Sequence, residues 1–191
     1  AGIDKYTGIA NDYPVFEGLE KCDVEADVII DFSNAAAADA LLTYCEEKKM
    51  PVVLCTTGLS EEQLAKIPEA AKKTAVLKSA NMSLGINLLM KLLKEATKVL
   101  APAGYDMEIV EKHHTQKLDA PSGTAIALAD SMNEAMDEAY HYVYDRSQER
   151  KKRDTKEIGI SAVRGGTIVG EHEVLFAGTD EVIEFKHTAY S

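Results

Sequence analysis

The sequence predicts an α/β chain, with a parallel sheet over residues 1–80 followed by an α+β domain over residues 81–191. Three observations point there. Short apolar runs alternate with helical segments before residue 80, the pattern of strand–helix–strand units. A long amphipathic helix is written into Leu84–Leu100, with Leu88, Leu89, Leu92, Leu93 and Val99 on one side. After Ile158, alternating stretches are joined by glycine-bearing turns, the pattern of antiparallel strands.

In the first half, Ala1–Asp4 reads as the tail of a strand, followed by a turn-rich stretch (Thr7, Gly8, Asn11, Asp12) and a short strand over Tyr13–Phe16. Val28–Phe32 is an apolar strand, Ala35–Glu47 a helix, Val52–Cys55 a strand, Ser60–Lys73 a helix and Ala75–Leu77 a strand. Ser60 with Gln63 forms a capping box at the start of its helix. Ligands of open α/β sheets bind beyond the carboxyl ends of the strands. Those ends carry Asp4-Lys5, Asp31-Phe32-Ser33, Cys55-Thr56-Thr57-Gly58 and Ser79-Ala80-Asn81-Met82. An acid at the end of the second strand of a Rossmann-like unit holds adenine ribose hydroxyls. Lys5 beside Asp4 suits a 2′-phosphate, so the pair admits both NADH and NADPH. The competing reading of Asp4 is a surface turn.

In the second half, Met107 and Ile109 alternate with Glu108 and Glu111 in a strand, and a helix follows from Ser122 to Glu138. Residues 146–156 hold six basic side chains and read as a mobile solvated loop. Strands are expected over Ile158–Arg164, Thr167–Ala177 and Val182–Thr188.

Composition narrows the function. The chain has 191 residues, 46% hydrophobic and 28% charged, ordinary for a soluble globular protein. A net charge of −11 argues against nucleic acid or an anionic membrane as partner. No apolar run is long enough to span a bilayer. Cys22, Cys45 and Cys55 show no paired spacing and fit reduced thiols in the cytoplasm.

The chemistry concentrates between the strand and the helix of residues 107–138. His113, His114 and Lys117 supply groups that carry positive charge or exchange a proton. Pro121-Ser122-Gly123-Thr124 opens the helix, where backbone N–H groups and the helix dipole favour an anion. Expected there are free N–H groups at Ser122, Gly123 and Thr124, and a hydroxyl donor at Thr124. Such a loop suits a carboxylate- or phosphate-bearing substrate that gains or loses a proton. A plain solvated loop is the alternative. No metal is expected, because adjacent histidines lack the spacing of a helix-borne zinc pair.

The run His113-His114-Thr-Gln-Lys117-Leu-Asp119-Ala120-Pro121-Ser122-Gly123-Thr124-Ala125 resembles the H-H-x-x-K-x-D-A-P-S-G-T-A signature of the dihydrodipicolinate reductase family. Val163-Arg164-Gly-Gly-Thr-Ile-Val-Gly170-Glu171-His172 matches a second family pattern, V-R-x-G-x-I-V-G-x-H. Asp31-Phe32-Ser33, Thr56-Thr57-Gly58 and Asn81-Met82-Ser83-Leu84-Gly85 match others, with Cys55 where the family has glycine and Leu59 where it has phenylalanine. The resemblance covers essentially the whole chain. The family's glycine-rich phosphate loop and its closing segment have no counterpart in it. The expectation is therefore a partial Rossmann-like domain, its first strand and helix missing, in a protein that is longer as a whole.

The resemblance implies NAD(P)H-dependent reduction of a cyclic dicarboxylate on the diaminopimelate route to lysine, with hydride delivered to C4 of the heterocycle. It implies His113 and Lys117 as proton donors, and His114, Lys117, Ser122, Gly123, Thr124 and Arg164 as substrate ligands. Asp4, Lys5, Phe32, Cys55, Thr56, Thr57, Ser79, Ala80, Asn81 and Met82 are implied as cofactor contacts, and the sheet of the second domain as the core of a homotetramer. For Arg164 and His172 the plainer reading is surface strand polarity. Two other classes stay open on the residues alone: a different dehydrogenase acting on an amino acid, and a non-catalytic assembly module.

Overall fold

A computed structural model describes residues 1–190 and divides them into two compact units, Ala1–Ser79 and Ala80 onward. The first is Rossmann-like. Strands β3 (Ile29–Asp31), β4 (Val52–Leu54) and β5 (Val76–Lys78) run parallel in that order, with α1 (Ala38–Lys48) and α2 (Glu61–Ala71) as crossovers. Leu41, Cys45, Val52 and Leu54 form its core, because a parallel strand covered by helices is apolar on the face it buries. The capping box is present: Ser60 Oγ accepts from Gln63 N–H and the Gln63 side chain accepts from Ser60 N–H. Two expectations shift. Strands β1 (Gly2–Ile3) and β2 (Val15–Phe16) pair parallel with each other in a sheet of their own. The helix expected from Ala35 begins as a single 3-10 turn capped by Asn34 and becomes α-helical at Ala38.

The second unit is a five-stranded mixed sheet in the order β10-β9-β6-β8-β7, with α3 (Leu84–Leu100) and α4 (Gly123–Glu134) against it. Strand β6 (Asp106–His113) is central, parallel to β8 (Glu157–Arg164) and antiparallel to β9 (Gly170–Ala177). Strand β10 (Val182–Ala189) closes one edge; β7 (His141–Val143), not foreseen in the sequence, closes the other. One face of the sheet packs on the helices. Met107, Ile109, Ile158, Ile160, Val174 and Phe176 meet Leu89, Leu93, Ala125, Leu128 and Met132 there, all at or near zero exposure. Each such large side chain contributes about 1.5–3 kcal/mol through burial. Among the described residues no helix is long and apolar enough to cross a membrane.

Two further expectations are corrected. Helix α4 ends at Glu134, because the buried Asn133 side chain both accepts from Tyr140 N–H and donates to its carbonyl, and Asp137 and Glu138 take left-handed backbone. The basic stretch 146–156 is not simply solvated. Arg153 donates to Asp106, Glu108 and the carbonyls of Met107 and Glu157, while Arg146 pairs with Glu108 and Glu157. Two buried or half-buried glutamates recruit these arginines, since a carboxylate leaves water only when it is paired.

Candidate active site

Strand β6 delivers the site by simple alternation. Met107 and Ile109 point into the core, so Glu111 and His113, two and four residues further, point to the same side. On the antiparallel neighbour, Val174 and Phe176 are buried, and His172 follows inward by the same period. The end of the core face is therefore polar, and its groups must satisfy one another.

Glu111 is fully buried and takes four hydrogen bonds. Arg164 donates twice, Nη1 to Oε2 at 2.8 Å and Nη2 to Oε1 at 2.7 Å. His113 Nδ1 lies 2.6 Å from Oε2, and Ser122 N–H donates to Oε1 at 3.0 Å. Burial alone would raise the carboxyl's pKa; Arg164, His113 and Ser122 outweigh it and hold the acid below its usual range. Arg164 Nη2 also donates to the Asp119 carbonyl at 2.6 Å, tying the loop to the sheet. Ser122 Oγ caps α4 by accepting from Ala125 N–H and sits 3.0 Å from His172 Nε2. Burial pushes the His172 imidazole down to about 4, with the neighbouring His113 ring acting in the same direction, so it is neutral at ordinary pH. The His113 and His172 rings meet edge to face at 5.2 Å.

The loop before α4 carries the more accessible groups. Lys117 Nζ lies 2.8 Å from Asp119 Oδ1, and Asp119 Oδ2 accepts from Gly123 N–H at 3.3 Å. Thr124 Oγ1 accepts from Asn81 Nδ2 at 2.9 Å. His114 is half-buried, and its carbonyl accepts from Lys117 N–H.

Several expectations need correction. The N–H groups of Ser122 and Gly123 are taken by Glu111 and Asp119; no partner is found for Thr124 N–H among the described residues. Surface polarity does not describe His172 and Arg164: His172 is 4% exposed, and Arg164 binds Glu111. His113 is itself 8% exposed, its Nδ1 spent on Glu111. Sequence reasoning missed Glu111 and His172 as parts of the site: it set Glu111 opposite Met107 and Ile109, whereas the two-residue period puts it on their side, and His172 on the side of Val174 and Phe176.

The residues proposed to touch a nicotinamide cofactor fall in both units. In the first, Asp4 and Lys5 are exposed just after β1, and Asp4 Oδ1 accepts from Tyr6 N–H. Phe32 is 72% exposed after β3, while Thr57 is exposed beside Gly58, whose φ is +72°. Cys55 and Thr56 are buried, and Thr56 Oγ1 donates to Asp31 Oδ2 at 2.6 Å, so that hydroxyl serves the turn. Ser79 N–H donates to the Leu54 carbonyl. Ala80, Asn81 and the exposed Met82 open the second unit. An exposed acid, an exposed cation and bare backbone at strand ends are donor and acceptor types that fit a dinucleotide. Among the described residues no cluster of three or more His, Cys, Asp or Glu could hold a metal ion.

Comparison with known proteins agrees along the chain. Residues 2–82 match the family described as dihydrodipicolinate reductase, N-terminus, and residues 85–191 its C-terminus. A 4-hydroxy-tetrahydrodipicolinate reductase of Clostridium novyi (strain NT) is 53% identical over 192 residues, covering 100% of this chain and 75% of the relative. The protein of the same name from Caldanaerobacter subterraneus subsp. tengcongensis is 53% identical over 191 residues, with the same coverage. Among solved structures, a dipicolinate-bound dihydrodipicolinate reductase from Paenisporosarcina sp. TG-14 is similar with a TM-score of 0.68. It is 27% identical, and the match covers 95% of this chain and 71% of that one.

Proposed function

The chain belongs to the dihydrodipicolinate reductase family, and we propose that the loop between β6 and α4 is where it binds and protonates its substrate. The activity is reduction of 4-hydroxy-tetrahydrodipicolinate to tetrahydrodipicolinate with NADH or NADPH, on the diaminopimelate route to lysine. The substrate is a small dicarboxylate, the class represented by the dipicolinate of the Paenisporosarcina relative.

The reaction replaces a hydroxyl by hydrogen and releases water, so it consumes one hydride and one proton. The nicotinamide cofactor, when bound, supplies the hydride. In the first unit Asp4, Lys5, Phe32, Thr57 and the backbone at Cys55, Thr56 and Ser79 would hold it; in the second, Ala80, Asn81 and Met82 are its proposed contacts. His114, Lys117, Ser122, Gly123, Thr124 and Arg164 bind and orient the carboxylates, Ser122 and Arg164 by fixing the loop. His113 and Lys117 supply the proton. The observation that carries this reading is the Lys117–Asp119–Gly123 N–H arrangement: a carboxylate already sits between the two donors assigned to the substrate. An incoming carboxylate takes its place with the same partners.

Oxidation of NADH dependent on 4-hydroxy-tetrahydrodipicolinate tests the reading, with dipicolinate as competing ligand. Weaker dipicolinate binding in Lys117→Ala is expected; unchanged binding there moves the site elsewhere. We also propose a cytoplasmic homotetramer built on the open face of the second unit's sheet. That face sets the exposed Val163 and Val182 among Glu184 and Lys186, and sedimentation of the protein measures its assembly state.

A further inference from the structure

We propose that Glu111 is the positioning residue of this site: it fixes which nitrogen of His113 exchanges a proton and locks that ring to Arg164 and the entrance of α4. The inference rests on the reading of His113 as a proton donor and adds a residue that does not itself meet the substrate.

The geometry leaves Glu111 little other role. It has no exposed surface, so it cannot touch a ligand. Each oxygen takes two donors: Oε1 from Arg164 Nη2 and Ser122 N–H, Oε2 from Arg164 Nη1 and His113. An ionised carboxylate only accepts, so the fourth bond requires a proton on His113 Nδ1. Its depressed pKa keeps the acid ionised at working pH. The proton on Nδ1 is thereby spoken for, and neutral His113 keeps its lone pair on Nε2. Any proton that His113 takes up or releases passes through Nε2.

Nε2 needs room, and the neighbouring strand leaves it. A side chain begun at Gly170 would stand 3.1 Å from His113 Nε2 and 3.4 Å from the adjacent ring carbon. Gly170 faces the same side as His172, two residues on, whose ring packs edge to face on His113. His172 is neutral, so it sets no competing charge beside the imidazole. Glu111 thus fixes the ring from the Nδ1 side, and the bare backbone of Gly170 keeps the Nε2 side open.

A buried Glu–Arg pair can also be purely structural, and the test separates the two roles. Side-chain nitrogen–proton correlation spectra resolve the tautomers of the five histidines, with His113 assigned through His113→Gln. The parent protein is expected to show His113 protonated on Nδ1 at neutral pH. In Glu111→Gln the signal should shift towards the Nε2–H form, with kcat lowered at least tenfold and the circular dichroism spectrum retained. A folded Glu111→Gln variant that keeps the Nδ1–H tautomer overturns the proposal. Gly170→Ala, which leaves every Glu111 bond in place, covers the case in which Glu111→Gln does not fold. It should move the His113 resonances and lower kcat more than it raises KM; unchanged resonances overturn the proposal. The spectra decide the role of Glu111 whether or not His113→Gln slows the reaction, and that rate separately decides the role of His113.

Discussion

Asn81 donates its side-chain amide to Thr124 Oγ1 over 2.9 Å, so the segment that opens the second unit is bonded to the first turn of α4. The same side chain accepts from Ser83 N–H at 2.8 Å, and Ser83 caps α3. One asparagine therefore fixes the start of α3 and orients the hydroxyl assigned to a substrate carboxylate.

Asn81→Asp tests that link, because it keeps the acceptor for Ser83 and removes the donor to Thr124. Losing one hydrogen bond of roughly 0.5–1.5 kcal/mol predicts about 2–10-fold weaker dipicolinate binding. The new charge near a dicarboxylate pushes in the same direction. Calorimetric titration reads the change, and equal affinities would mean that Thr124 is held by other means.

Lys117→Ala is expected to weaken dipicolinate binding by roughly 1.5–3 kcal/mol, the worth of a charge-assisted hydrogen bond. His113→Ala should instead lower turnover, by about 10²–10⁴-fold if it is a general acid, with a smaller change in binding. Binding and steady-state kinetics must be measured together, since KM is not a pure affinity. The opposite split between the two variants would exchange their assigned roles.

Asp119→Asn should tighten dicarboxylate binding. Burial raises the Asp119 pKa, but Lys117 and backbone N–H groups outweigh it, so the side chain is ionised and occupies both donors at neutral pH. Neutralising it releases Lys117 for the ligand, and competition titration with dipicolinate should find lower Kd. Weaker binding would show that Asp119 holds the loop in shape rather than competing for it.

Stability should fall on acidification in two separable steps. The native state resists protonation of His172, whose pKa is about 4 when folded against 6.5 as the ordinary value. The unfolded chain takes up that proton first, so stability is fully present above about pH 6.5 and declines as pH falls towards 4. The loss amounts to at most about 3 kcal/mol. Glu111 acts in the other window, because its depressed pKa contributes stability that is lost only below the ordinary carboxylate range. The chain has no tryptophan, so circular dichroism under denaturant is the suitable readout. His172→Gln should flatten the upper step alone; an unchanged profile there would rule out His172 as its cause.

Much of this protein is written in local pattern. Among the described residues the four α-helices and nearly every strand follow from apolar periodicity, and the caps at Ser60, Ser83 and Ser122 follow from residue type at helix starts. The loop from His113 to Thr124 was visible because histidine, lysine and a Pro-Ser-Gly-Thr helix start are concentrated in a few residues. What the loop does with its donors was not visible. Sequence placed Ser122 and Gly123 N–H groups free for a ligand, yet Glu111 reaches one and Asp119 the other.

The difference is one of range. Periodicity and capping are decided by neighbours a few residues apart, so the sequence alone determined most of the elements and pointed to the loop proposed to bind substrate. The partners of a buried charge are decided by which strands lie side by side. Arg164 reaches Glu111 across 53 residues because β8 pairs with β6, and Ser122 reaches His172 across 50 because β9 does. A buried carboxylate must collect donors wherever the sheet brings them, since leaving it unpaired out of water costs several kcal/mol. That requirement, met only once the strands are in register, turned residues readable as surface polarity into the frame of the site.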